Sequence, residues 1–350
     1  MKCVEICGII FIYIHCTDIL LSDCCVRQTP DVYTSTFPAH KENHMNIETT
    51  RINDAIAADP SAFIAAANED YIYRIKRIAE NIAETRDTRP VILLSGPSGS
   101  GKTTTALILE KFLDEMGHET HTLSMDNYFC PLTEEEKALS VLGMIDLESP
   151  KRIDADLLNQ HILAIDLCEE FEIPQYDFGT STRKYTGKKF RRRPGELVIF
   201  EGIHALNPDV IFVPDNRLSK IYVSVRTRVT CGDIVLHPSR IRLMRRMIRD
   251  KNFRQRSFRE TMNMFQSVEA GENKYIMPYK HRSDYDVDTF IAYELSAYRD
   301  HLLDQLREMT DVPELAETVK VLEALSPLDN SLVPPESLIC EFIGNGQFKY

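Results

Sequence analysis

One stretch limits the folds open to this chain more than any other: Val91 to Leu109, VILLSGPSGSGKTTTALIL. Val91 to Ser95 is a short apolar run of the kind that forms a buried strand. Gly96 to Thr103 then reads G-x-x-x-x-G-K-T. The apolar periodicity from Lys102 onward predicts a helix to Met116, stopped at Gly117, a residue type common just past a helix end. Strand, glycine-rich loop and helix in that order make a phosphate cradle. Backbone N–H groups around Gly96, Ser98, Gly99, Ser100 and Gly101 can wrap a polyphosphate, Lys102 can reach its outer phosphates, and the Thr103 hydroxyl can ligate Mg²⁺. Glycine is needed there because a side chain would block the approach. The expected cofactors are ATP and Mg²⁺, with Thr104 counted among the nucleotide-binding residues.

Two carboxylates fall where such a loop could use them. Glu119 to Ser124 reads as a second strand running into Met125-Asp126-Asn127-Tyr128-Phe129, and open α/β sheets bind ligands just past their strands' C-terminal ends. Asp126 is therefore a candidate site residue, with an Asx turn or helix cap as the alternative. Leu197 to Gly202 reads as a buried parallel strand that delivers Glu201 at its end. A carboxylate there can hold Mg²⁺ or its water shell beside the loop. Ile221 to Val225 and Asp286 to Tyr293 read as fourth and fifth strands. The predicted fold is a three-layer α/β P-loop NTPase, nucleoside- or adenylate-kinase-like, with a mostly parallel five-stranded sheet and extra helices at both ends.

Basic residues cluster downstream at Arg240, Arg242, Arg245, Arg246, Arg249, Arg254, Arg256 and Arg259. Arg242, Arg245, Arg246 and Arg249 follow i, i+3, i+4, i+7 spacing, which would put four guanidinium groups on one helix face. Such a face reads as an arginine lid over ATP phosphates, since the planar guanidinium suits phosphate. A solvated helix paired with carboxylates and an RNA-binding face are the alternatives. A net charge of −12 over 350 residues argues against general binding to nucleic acid or an anionic membrane. The basic run in Gly179 to Gly195 reads as an exposed, solvated hairpin or loop, with nucleic-acid contact again the alternative.

The other segments divide the chain into residues 1–44, a helical lead-in at 45–89, a kinase-type domain at 90–325 and a tail at 326–350. Five of the nine cysteines crowd the first 25 residues. The apolar run Gly8 to Ile14 resembles a short signal-peptide core and is too short to span a membrane. The preferred reading is a start at Met45 preceded by an extension without a role. The scattered cysteines of the body suit a reduced protein, and the expected location is the cytoplasm. Asn46 to Asp87 is helical in pattern, with Tyr71, Ile75, Ile78 and Ile82 on one face, and ends before Pro90. Thr133 to Glu136 forms a capping box. Asp146 to Asp154 reads as a loop before a helix to about Cys168, and Glu172 to Phe178 as an extended piece. The tail from Pro334 to Gly344 has no assignment on physical grounds.

Taken in order, GPSGSGKT (Gly96–Thr103), MDNYF (Met125–Phe129), PQYDF (Pro174–Phe178) with Arg183, IFEGI (Ile199–Ile203) and RLMRRMIRD (Arg242–Asp250) with Arg254 and Arg256 resemble the uridine kinase and phosphoribulokinase family of P-loop kinases. The Tyr293-Glu294-Leu295 and Phe342-Ile343-Gly344 segments are similar to a bacterial branch of uridine-kinase-like nucleoside kinases. The resemblance implies that Asp126 is the catalytic base for a sugar 5′-hydroxyl attacking the γ-phosphate. It makes Lys102 and Arg249 catalytic partners, and Glu201 the residue that organises Mg²⁺ with Thr103 and Asp126. It gives Arg246, Arg254 and Arg256 contacts to substrate and phosphates, sets Tyr176 and Phe129 at the nucleoside, and lets Asp146 hold ribose hydroxyls.

Two positions depart from that family. Ser181 stands where a histidine reads the pyrimidine edge, and Met264 where a glutamine does. Losing polar partners for a base removes the ground for strong discrimination. The expected activity is thus transfer of the ATP γ-phosphate to a nucleoside-like small molecule, with no nucleic-acid or membrane partner and self-association left open. A sugar-phosphate or pantothenate-type acceptor, a regulator that binds ATP without transfer, and an RNA-linked protein are the rival readings.

Overall fold

In the computed structural model, residues 45–141 and 145–348 are described. The readings placed on residues 1–44 lie outside them. The first element is a short strand, β1 (Asn46–Glu48), where a helix was expected. It is followed by α1 (Thr49–Ala58) and α2 (Pro60–Thr85). Pro60 starts α2 at the position that tolerates its missing N–H, and the Asp59 carboxylate accepts from Ala62 N at 3.0 Å. Tyr71, Ile75, Ile78 and Ile82 share its buried face, as their spacing predicts.

The phosphate-loop unit follows as β2 (Val91–Ser95) and α3 (Lys102–Glu115), then β3 (Thr120–Ser124). Next come α4 (Glu134–Val141), opened by the expected Thr133/Glu136 capping box, and α5 (Ala155–Asp166). The hairpin β4 (Phe171–Asp177) and β5 (Thr182–Phe190) leads to β6 (Leu197–Glu201) and β7 (Leu218–Ser224). Strands β8 (Arg228–Cys231) and β9 (Ile234–Leu236) precede α6 (Pro238–Arg254) and α7 (Phe258–Tyr275). The remainder is β10 (Tyr285–Asp288), α8 (Glu294–Glu308), α9 (Ala316–Ala324) and α10 (Cys340–Ile343).

Strands β10, β7, β2, β6 and β3 form, in that order, one five-stranded sheet in which every pairing is parallel. The three central strands are buried along their whole length, as a sheet covered on both faces requires. Alternation along β2 divides two cores. Ile92 and Leu94 pack with α2, α3, α6 and α8, whereas Val91 and Leu93 pack with Met125, Tyr128 and the Leu158, Ile162 and Ile165 face of α5. These are the three layers the sequence predicts. The fifth strand ends at Asp288, short of the expected Tyr293, because Asp288 turns to cap the backbone of Arg226, Thr227 and Phe290.

Three features depart from expectation. Strand β1 pairs in parallel with β8 and extends the β8–β9 hairpin into a small second sheet. Arg192, read as part of a solvated basic run, is buried and donates to the carbonyls of Ile165, Asp166 and Glu196. The tail folds into α10 and buries Leu338, Ile339 and Phe342 completely, against α6 and the phosphate loop. No helix among the described residues is long and apolar enough to cross a membrane.

Candidate active site

The loop between β2 and α3 is shaped by backbone that only glycine adopts cheaply. Gly101 caps α3 at φ +82°, and a Cβ there would stand 2.6 Å from Leu338 Cδ1. At Gly96 a Cβ would meet the Val223 carbonyl oxygen at 2.1 Å, so the loop leaves β2 hard against β7. Ser100 is fully buried and its hydroxyl has no hydrogen-bond partner. Lys102 lies against the loop with Nζ donating to the Pro97 carbonyl at 3.2 Å. Burial pulls its ammonium down, against the attraction of Glu201, Asp126 and Glu341.

Sheet register brings the carboxylates together. Ser124 at the end of β3 lies beside Glu201 at the end of β6, which in turn neighbours Leu94, one residue before the end of β2. Asp126 follows two residues later in a 3₁₀ turn, reachable from solvent in a crowded cleft. Removal from water raises both carboxyls. The Asp126 carboxyl is lowered in turn by Lys102, Arg254 and Arg249, while the neighbouring Asp126 carboxylate helps push Glu201 up to about 7. Two carboxylates and one lysine thus meet at the mouth of the loop. The half-buried Thr103 occupies the second position of α3.

The arginines do not form one open face. Arg242 is buried and paired with Glu272, while its Nη1 donates to the Ser98 carbonyl at 3.1 Å. Arg245 is 0% exposed and held by an equally buried Glu294. Both guanidiniums serve the core and brace the loop from behind, which corrects the four-arginine face. Arg246 and Arg249 remain on the loop side. Arg246 donates to the Ser98 hydroxyl, and burial together with Arg249 brings its guanidinium down to about 10. The Nε atoms of both are buried without a hydrogen-bond partner, although that of Arg249 lies 3.7 Å from the Asp250 carboxylate. Arg254 and Arg256 converge with Arg249 on Asp250, a fully buried carboxylate that closes the RLMRRMIRD motif and to which the sequence reading gave no role.

The tail supplies a residue that no sequence signal identified. Glu341 of α10 is buried; its Oε2 accepts from the Thr104 hydroxyl at 2.6 Å, and its Oε1 lies 3.9 Å from Arg249 Nη1. Phe342 lies under the Arg245 guanidinium at 5.2 Å. The Thr104 hydroxyl, expected to serve the nucleotide, is therefore engaged by the tail.

On the other side of Asp126, Phe129, Tyr176 and Phe178 form an aromatic cluster with ring centroids 5.0 to 5.8 Å apart. Tyr176 N donates to the Asn127 side chain at 3.3 Å, tying the hairpin to the turn that carries Asp126. Asp146 accepts from the Tyr275 hydroxyl at 2.7 Å. Ser181 sits at the hairpin tip with φ +52°, and its carbonyl accepts from Leu132 N. Met264 is 37% exposed on α7.

The residues present fit a magnesium nucleotide. The loop offers backbone donors, the Ser100 hydroxyl, which makes no hydrogen bond, and Lys102, and the flanking Arg246 and Arg249 carry buried Nε–H groups that make no hydrogen bond. Thr103, Asp126 and Glu201 offer hard oxygen donors of the sort Mg²⁺ takes.

Fold and site together define a P-loop phosphotransferase. The chain belongs to the Phosphoribulokinase / Uridine kinase family, whose profile matches residues 91–295. A uridine kinase of Staphylococcus aureus is 30% identical over 197 residues, 55% of this chain and 84% of its own length. One of Halobacterium salinarum is 27% identical over 195 residues, 55% and 76% of the two chains. Among solved structures, a D-glycerate 3-kinase of Cryptococcus neoformans var. grubii aligns at 13% identity and a TM-score of 0.30. That alignment covers 85% of this chain and 91% of the other, and so loose a fit carries no argument.

Proposed function

We propose that this kinase transfers the γ-phosphate of ATP to the 5′-hydroxyl of a nucleoside or nucleoside-like acceptor. The observation that carries the reading is the meeting of Asp126, Glu201 and Lys102 at the mouth of the loop. In the proposed reaction Asp126 takes the proton as the acceptor oxygen bonds to phosphorus. The bond from the γ-phosphorus to the β,γ-bridging oxygen breaks, and its electron pair leaves with ADP. Lys102, Arg246 and Arg249 hold the phosphate oxygens in line and spread their charge, which is most of what phosphoryl transfer asks of a protein. Thr103, Asp126 and Glu201 would hold Mg²⁺, which would supply further neutralisation of phosphate charge. Arg254 and Arg256 complete the phosphate contacts, while Phe129 and Tyr176 would pack on the acceptor's flat part and Asp146 would hold its hydroxyls. Action in the cytoplasm belongs to the same reading. So does the division into a lead-in at 45–89, a kinase domain at 90–325 and a tail at 326–350.

The uridine kinases among the relatives favour a nucleoside over a sugar phosphate. The test is transfer of labelled γ-phosphate by the full chain to a panel of nucleosides and sugars. Intact ATP binding with no transfer to any of them would refute the proposal.

A further inference from the structure

The sequence leaves the acceptor pocket without its expected polar readers at Ser181 and Met264, and the structure offers another at a position no motif marks. His204 follows Glu201 by three residues, past the end of β6, and is 1% exposed. Neither of its ring nitrogens completes a well-formed hydrogen bond, although the Glu148 backbone lies close enough for its carbonyl to favour a proton on the ring. Buried polar groups are nearly always paired, so an imidazole with at most one loose contact, to the Glu148 backbone, leaves a nitrogen that asks for a missing partner. Its surroundings point to which one. The ring meets the Tyr275 ring edge-on at 6.3 Å, and the Tyr275 hydroxyl fixes the Asp146 carboxylate. The segment carrying Asp146 and Glu148 lies beside His204 and is seated so closely on α7 that a Cβ on Gly271 would stand 2.4 Å from Glu148 Cβ. Glu148 in turn feels Arg246, Lys102 and Asp126, so this segment faces the transfer site.

We propose that His204 is an acceptor-binding residue. The ring nitrogen that the Glu148 backbone leaves free pairs with a hydroxyl of the acceptor, while Asp146, set by Tyr275, takes a neighbouring hydroxyl. Burial holds the imidazole's pKa down at about 4, so it stays neutral and keeps a nitrogen lone pair that can accept from a hydroxyl. The acceptor class this selects is a neutral molecule with adjacent hydroxyls, such as the ribose of a nucleoside. The inference rests on the kinase reading and adds a residue and a chemical class to it.

The test uses the full chain with His204→Leu, which removes both polar atoms, and His204→Gln, which keeps a donor and an acceptor. Uridine, cytidine, adenosine, guanosine, inosine and D-ribose are offered with Mg²⁺ and ATP. With the best of these, His204→Leu is expected to raise the acceptor KM at least tenfold and to leave the KM for ATP within twofold. His204→Gln should recover part of the loss. The Tm of the ligand-free His204→Leu protein should hold or rise, because an unpaired buried polar group has gone; a merely structural histidine would lower it. An unchanged acceptor KM, an equal rise in both KM values, or a lowered Tm with no acceptor-specific effect in either variant overturns the inference and leaves the kinase reading standing. A wild-type chain that binds ATP and phosphorylates none of the six overturns both.

Discussion

Replacing Arg245 by methionine separates a core role from a lid role. The guanidinium makes five hydrogen bonds inside the protein. Nε and Nη2 meet the two Glu294 oxygens at 2.7 and 2.9 Å, Nη2 meets the Thr289 carbonyl at 2.7 Å, and Nη1 meets the Gly99 carbonyl and Thr289 hydroxyl at 3.2 and 3.3 Å. Methionine fills much of the volume and supplies none of these. Glu294 would be left wholly buried with the Ile291 N–H at 3.1 Å among its few remaining partners. Breaking a buried pair by removing one member costs about 3–5 kcal/mol, and each stranded carbonyl adds about 1–3 kcal/mol. Against a typical stability of about 5–15 kcal/mol, the variant should be severely weakened. Urea unfolding of both proteins measures the difference. A second substitution, Glu294→Leu, should recover a large part of the loss, because the uncompensated charge goes with it. If Arg245→Met lost less than about 1 kcal/mol yet bound ATP as poorly as Arg249→Met, the guanidinium would be serving phosphate and the buried-pair argument would fail.

Other outcomes follow from the same geometry. Asp126→Asn should lower turnover by about 10²–10⁴-fold while ATP affinity changes little, as isothermal titration and steady-state kinetics can check. Glu201 titrates near 7 in the folded protein and near 4.5 when unfolded, so between those values the folded state binds the extra proton. The metal-free protein should therefore lose stability as pH rises from 4.5 to 7, by an amount on the order of a few kcal/mol, and this part of the slope should vanish in Glu201→Gln. Glu341→Gln keeps an acceptor for Thr104 but removes a negative charge near Lys102 and Arg249, so ATP should bind more tightly to it; weaker binding would show that the carboxylate serves only to hold the tail. Gly101→Ala forces a side chain into Leu338 at φ +82°, and loss of nucleotide binding together with a lower Tm is expected.

The fold was largely legible because its signals are local. An apolar run ending in a glycine loop, a carboxylate at a strand end and a proline that stops a helix each act within a few residues. The all-parallel sheet and the meeting of Asp126 with Glu201 follow from them. What stayed hidden depends on distant partners. Helical spacing put Arg242 and Arg245 beside Arg246 and Arg249, but the carboxylates that bury the first two, Glu272 and Glu294, lie 30 and 49 residues away. His204 carries no pattern at all, since its significance is a missing hydrogen bond that only packing reveals. Strand β1 was read as helix because three residues are too few to show an alternation, and its partner β8 is 182 residues further on.

The pairing of Thr104 with Glu341 joins positions 237 apart in the chain. Synthesis runs from the N-terminus, and domains begin to fold as they emerge. The phosphate loop is therefore among the earliest parts of the sheet to be made, and the residues that back it are among the latest. Until Leu338, Glu341 and Phe342 arrive, Gly101 lacks its neighbour, Thr104 its carboxylate and Arg245 its aromatic face. A nascent chain should acquire a finished nucleotide site only after residues 338–342 have been made. A substitution that unseats Leu338 or Phe342 would therefore bear on catalysis as well as on the packing of α10.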